Sequence, residues 1–275
     1  MISRRTRVAL GGWTAFVVAF LWLPLGIIAL YAFNASQIQT WPITDWSTRW
    51  FGVAWHDDAV RSSLWLSVKV GLAATAIALV LGAMASFAIH RFSFFGRESI
   101  SFVLILPIAL PGIITGMALN SFFSFAGVQF SIWTIVVGHA TFCVVVVYNN
   151  VLARLRRTSP SVLEASMDLG ADGWQTFRFV TWPLLSTALV AGGLLAFALS
   201  FDEVIVTTFT AGAQTTLPIF ILDNLRQGQQ LPVVNVVALG VILLTVIPVW
   251  AAQRLTMGED APAGGRVAAV ATQTE

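Results

Sequence analysis

The sequence predicts an all-α integral membrane protein of six transmembrane helices, with one structured polar loop on the cytoplasmic side. Three observations carry that reading. Of 275 residues, 57% are hydrophobic and 10% charged, against roughly 25% charged in soluble domains. A soluble core of this length could not hide so much apolar surface, so the bilayer is the solvent. Six apolar runs each approach the roughly 20 residues that a helix needs to cross hydrocarbon. Open strands are excluded there because their backbone groups would go unsatisfied. Finally, the arginines sort to one side of these runs.

The runs cover 8–33, 64–89, 100–125, 130–152, 184–210 and 233–252. The first follows Arg4, Arg5 and Arg7, as a secretory signal would. Its apolar stretch exceeds the roughly 7 to 15 residues of such signals and no small-residue cleavage site follows, so it reads as an uncleaved span. Residues 34–63 are polar and rich in Trp and acids (Trp41, Trp46, Trp50, Trp55, Asp45, Asp57, Asp58). They fit a short interfacial helix with Trp at headgroup depth, and equally a docking surface for an external protein.

The third run contains Pro107 and Pro111 and is expected to kink or unwind. Only 126–129 separate it from the fourth, so a re-entrant hairpin is the alternative there. Gly112 and Gly116 in the third run, and Gly192 and Gly193 in the fifth, favour close helix contact. Asn120, Ser121 and Thr134 read as interhelical hydrogen-bonding groups.

Six spans put both termini and two internal loops on one side. That side holds Arg4, Arg5, Arg7, Arg91, Arg97, Arg154, Arg156, Arg157, Arg178, Arg254 and Arg266, against Arg49, Arg61 and Arg226 opposite. Eleven against three predicts cytoplasmic termini. The net charge of +2 follows from this bias and is no sign of nucleic acid. Residues 1–257 read as one membrane domain without internal repeats, its loop at 153–183. Residues 258–275, rich in Ala, Gly and Thr, read as a disordered cytoplasmic tail.

The loop reads as helix, turn, helix. Ser159 before Pro160 fits an N-cap with proline at the first helical position. Ser161 with Glu164 fits a capping box equally well. Gly170 supplies the positive φ that ends the short helix, and a second helix starts near Asp172 and runs through Pro183 into the fifth span. Glu164 and Asp168 lie one turn apart, able to face a basic groove together. The plainer reading is a solvated loop whose Glu is a cap.

Ionisable groups inside a bilayer are expensive and mark a pathway or a pair. The fifth run carries two neighbours, Asp202 and Glu203, about 27 Å along its helix from Leu184. On a continuous helix Ser200, Glu203, Thr207 and Thr210 share one face, with Asp202 turned away from it. No cation lies in that span, so a cationic substrate would complete the pair. Protonation, or pairing across helices, is the alternative. Cys143 is the single cysteine, so no internal disulfide forms. His56, His90 and His139 show no metal-ligand spacing, and no P-loop, nucleophile elbow or HExxH is present. No catalytic residue, metal site or cofactor is expected in this chain.

Glu164-Ala165-Ser166, three residues, Gly170, nine residues, then Val180-Thr181-Trp182-Pro183 resembles the EAA motif of ATP-binding-cassette importer permeases. Glu164, Ala165, Gly170 and Pro183 match it; Ser166, Val180 and Trp182 depart from it. The stretch 199–209, the later Thr216-Leu217-Pro218 and the closing span are similar to polyamine (spermidine/putrescine) permeases, and to the second of their two permease chains. The resemblance implies a type I ABC importer permease fold in a bacterial plasma membrane. It implies a paralogous permease partner, two ATPase subunits that hold ATP and Mg, and an external substrate-binding protein. Glu164, Ala165, Ser166, Asp168, Gly170 and Pro183 would then couple to the ATPase, and Asp202, Glu203, Ser200 and Thr207 would line the substrate pathway. Other solutes (an iron complex, opine or amino-acid-like cation), a stand-alone channel or secondary transporter, and an intramembrane enzyme or sensor are the competing readings.

Overall fold

The computed structural model describes residues 3–257, all of its regular structure helical. The tail expected at 258–275 lies outside the described residues. The chain packs as one unit through Val241, and a second unit begins at Ile242. Four helices meet the length and hydropathy of a membrane span: α1 (Arg4–Ala32), α3 (Asp58–Arg91), α6 (Ile132–Arg157) and the segment Gly173–Phe201. The pair α4 (Arg97–Ala109) and α5 (Gly112–Phe125) passes the same test only when joined, and its sharp bend fits either a broken span or the re-entrant hairpin. The last, α12 (Leu231–Met257), is apolar over Leu231–Thr245.

The third run is bent by 104° between α4 and α5. Proline explains the place. Pro111 has no N–H to give, and the residue before a proline is pushed out of helical space; Leu110 sits at φ −79, ψ 145. Pro111 then starts α5 as its N-cap.

The hub is α6, which packs against α3, α4, α5 and α9 (Trp182–Phe201). Glycine sets the approach of α3. A methyl placed on Gly82 would meet the Val144 carbonyl oxygen at 2.9 Å and the Tyr148 backbone nitrogen at 3.0 Å. Ser86, one turn on, donates to the Tyr148 carbonyl at 2.9 Å. Gly192 and Gly193 fill the expected role: a methyl on either would lie 3.4 Å from Val147 or Leu79 respectively. Gly116 is tighter, since a methyl there would come within 2.6 Å of the Phe209 ring.

Residues 34–48 lead to α2 (Arg49–His56), which caps the bundle end with α11 (Leu217–Gln227). Trp50 and Ala54 are buried there with Ala32, Val60, Leu217 and Phe220. Trp50 Nε1 donates to the Asn34 carbonyl (2.9 Å). Trp41, Trp46 and Trp55 remain exposed. The Trp-rich segment therefore splits into one packing tryptophan and three surface ones.

Candidate functional site

Two places collect the predicted site residues. The first is the loop between α6 and α9. Here α7 (Pro160–Asp168) begins at proline, as expected, but Ser159 makes no cap bond to the backbone. Its hydroxyl pairs instead with that of Ser161 (2.7 Å). No Ser161–Glu164 capping box forms, because the helix has already started at Pro160.

The far end of α7 closes as the glycine predicts. Gly170 has φ +85, its N–H bonds the Met167 carbonyl (2.9 Å), and Ala171 N–H bonds that of Ser166 (3.1 Å). This is a Schellman end, which needs the left-handed residue that glycine supplies without strain. Asp172 then caps α8 (Gly173–Thr176) in a box with Gln175: Oδ1 accepts from Gln175 N–H (2.8 Å) and Oε1 from Asp172 N–H (2.9 Å).

Between α8 and α9 the backbone makes a π turn, Phe177–Thr181, and Trp182 N–H reaches Phe177 O. Pro183 follows directly. A proline cannot donate to the carbonyl four residues back and its ring crowds that carbonyl, so a widened turn sits naturally before it. Arg154 Nε donates to Leu184 O (2.9 Å), tying the base of the loop to the end of α6.

Glu164, Ala165 and Asp168 are exposed on α7, as are Met167 and Leu169, the latter at 89%. Ser166 is half-buried and its hydroxyl meets Thr176 Oγ1 (2.9 Å). Trp182 is exposed and tilts against Phe177. Two acids and two large apolar side chains thus stand in the open on a short helix, braced from behind.

The second place is the acidic pair, and here the structure corrects the sequence-based expectation. The fifth run is not one helix. α9 ends at Phe201, residues 202–204 are non-helical, and α10 (Ile205–Thr210) starts afresh. The Glu203 carboxylate competes for the backbone: its Oε1 accepts from Val206 N–H (2.9 Å), a local bond that favours helix starts over helix interiors. The single polar face drawn through Ser200, Glu203, Thr207 and Thr210 therefore does not exist as such.

What the break builds instead is a buried clasp. His139 lies between Ser200 Oγ and Thr207 Oγ1, 2.8 Å from each. Thr207 Oγ1 donates to Glu203 O (2.7 Å). Asn120 Nδ2 donates to Phe209 O (2.6 Å) and Thr134 Oγ1 to Thr210 O (2.7 Å), so both act as interhelical ties, as read from sequence. The sequence gives no hint of His139's part, since a lone histidine among apolar residues has no spacing to betray its partners.

Asp202 is exposed and Glu203 half-buried. Arg61 pairs with Asp58, far along the chain from both acids. The two acids are thus unequal: Glu203 is spent on its own backbone, and Asp202 is open.

A multi-helix membrane bundle that holds a braced polar loop at the start of one span and a carboxylate-bearing break at its end suits a transport subunit. The chain belongs to the family of binding-protein-dependent transport system inner membrane components, whose family pattern matches residues 78–256, both places included. The putrescine transport system permease protein PotI of Escherichia coli (strain K12) is 35% identical over 230 residues, 80% of each chain. The spermidine/putrescine transport system permease protein PotC of the same strain is 29% identical over 255 residues, 92% of this chain and 94% of that one. Among solved structures, a bacterial ABC transporter involved in import of the acidic polysaccharide alginate matches with TM-score 0.70 at 17% identity, covering 92% of this chain and 98% of that one. The chain is a multi-pass permease subunit of an ABC importer, and not an enzyme.

Proposed function

We propose that the chain imports polyamines, putrescine and spermidine, as one of two paralogous permease chains driven by two ATPase subunits. Its termini and the α7–α8 loop face the cytoplasm, in keeping with the arginine sorting. ATP and Mg belong to the ATPases. Exposed Glu164, Ala165, Asp168 and Leu169 form the contact face, Ser166 and Gly170 hold its shape, and Pro183 carries its motion into α9. The external binding protein meets the surface bearing Trp41, Trp46 and Trp55.

The observation that carries the cargo is the open Asp202 carboxylate beside Glu203 at the break in α9–α10. A desolvated dication needs opposite charge to offset lost hydration, and Asp202 offers it at the end of the span that closes at Phe201. Relationship to putrescine and spermidine/putrescine permeases supports the same cargo. Ser200 and Thr207 act by shaping this bend, since both hydroxyls face His139.

Uptake of labelled putrescine by cells carrying the full complex tests this. Asp202→Asn should raise the half-saturating concentration about tenfold or more with normal membrane abundance. Glu203→Gln, whose amide oxygen can still accept from Val206 N–H, should be milder in affinity, whereas Glu203→Leu should lower the yield of folded protein because it removes the acceptor at the start of α10. Unchanged uptake by Asp202→Asn contradicts the cargo assignment.

A further inference from the structure

We propose that His139 is a positioning residue for the cation site, fixing the bend at 202–204 and with it the stance of Asp202. The role of that bend in holding a polyamine rests on the reading just given; the geometry of the clasp does not.

One assignment of the hydrogens satisfies the side-chain partners of the clasp. The Glu203 carbonyl can only accept, so the single proton of Thr207 Oγ1 goes to it. Thr207 Oγ1 must then accept from His139 Nε2–H. With Nε2 protonated, the neutral imidazole offers Nδ1 as acceptor for the Ser200 hydroxyl. One chain results: Ser200 O–H to Nδ1, Nε2–H to Thr207, Thr207 O–H to Glu203 O. This tautomer is assigned from the side-chain partners.

Its members are shut off from water: His139 is 1% exposed, Ser200 3% and Thr207 0%. Among the described residues, His139 is the one side chain hydrogen-bonded to both helices flanking the break. Asn120 and Thr134 hold α10 alone, and Cys143 Sγ reaches only α9, at Ala196 O. His139 itself is carried by α6, the hub, close to the tight contact of Gly138 with Val206, where a methyl on the glycine would come within 3.1 Å. The imidazole therefore references both sides of the break to α6, the helix that packs against α3, α4, α5 and α9. Small misplacements of a charge at a binding site are costly. A side chain that sets the joint sets affinity for a cation without touching it.

Two readouts test the proposal on the assembled importer. In uptake assays His139→Leu should raise the half-saturating putrescine concentration about tenfold while the maximal rate stays within about twofold. His139→Gln, which keeps an N–H toward Thr207, should recover affinity to within about threefold. Thr207→Val should reproduce the His139→Leu shift, and the double variant should add little to either. A loss of maximal rate with unchanged half-saturation, a Gln variant as impaired as Leu, or additive shifts would overturn the proposal.

The second readout needs no cargo. In an Asp202→Cys chain with Cys143→Ala, the rate of thiol labelling at position 202 should change about threefold or more when His139→Leu is added. An unchanged rate overturns the positioning role. If the parent importer takes up no putrescine, the cargo reading fails and the labelling result still decides the fate of the clasp.

Discussion

A serine at position 166 stands where the loop motif carries alanine, and the structure gives it work: its hydroxyl ties α7 to Thr176. The departure braces the loop. Gly170 is the harder constraint. A methyl there would find no heavy atom within 4 Å, so only the φ of +85 resists substitution. A β-branched residue forced into left-handed space costs about 1–2 kcal/mol. Gly170→Val should therefore leave the protein in the membrane at normal abundance, yet lower ATP-driven uptake severely by loosening the end of α7; normal uptake would count against the loop's role. This position was legible from sequence because glycine at a helix end has one physical meaning. His139 was not. Its partners lie 61 and 68 residues away, and no local pattern encodes a contact of that separation. Glu203 was half legible: its polarity drew notice, but a helical wheel assumes the helix that Glu203 itself interrupts.

Helix breaks divide in the same way. The bend between α4 and α5 was readable from Pro111, which starts α5, whereas Pro107, equally suspect in the sequence, stays inside α4. The break after α9 has no proline or glycine and arises from competition between side chain and backbone. Three helical glycines in different settings, of which Gly82 alone sits at the α3–α6 contact, should differ in a way that thermal unfolding can rank. Gly82→Ala drives a methyl into backbone atoms of α6, where overpacking costs about 1–3 kcal/mol. Gly71→Ala meets only the Phe197 ring, which can swing aside, and should cost less. Gly26→Ala in α1 meets nothing and should be neutral or slightly stabilising. Equal effects at all three positions would mean that the α3–α6 contact is not the tight joint described.

At the scale of the whole molecule, composition announced the bilayer but could not say which apolar surfaces face lipid and which face protein. Of α1, only Ala32 is buried, leaving Trp13, Phe16, Phe20 and Trp22 exposed. Lipid tails and a partner helix are equally apolar to a sequence reading. The loop escapes that ambiguity, since acids and large apolar groups exposed together in a polar segment suit a protein partner. The central claim is that α7 is gripped from the cytoplasm by the ATPase. It is tested most directly by a single cysteine at position 164, made by Glu164→Cys with Cys143→Ala, in the assembled importer. Such a grip gives a cross-link from position 164 to the ATPase, with a yield that changes when ATP is added, and no labelling by an impermeant reagent from outside. Labelling from outside, or a complete importer that yields no such cross-link, would contradict it.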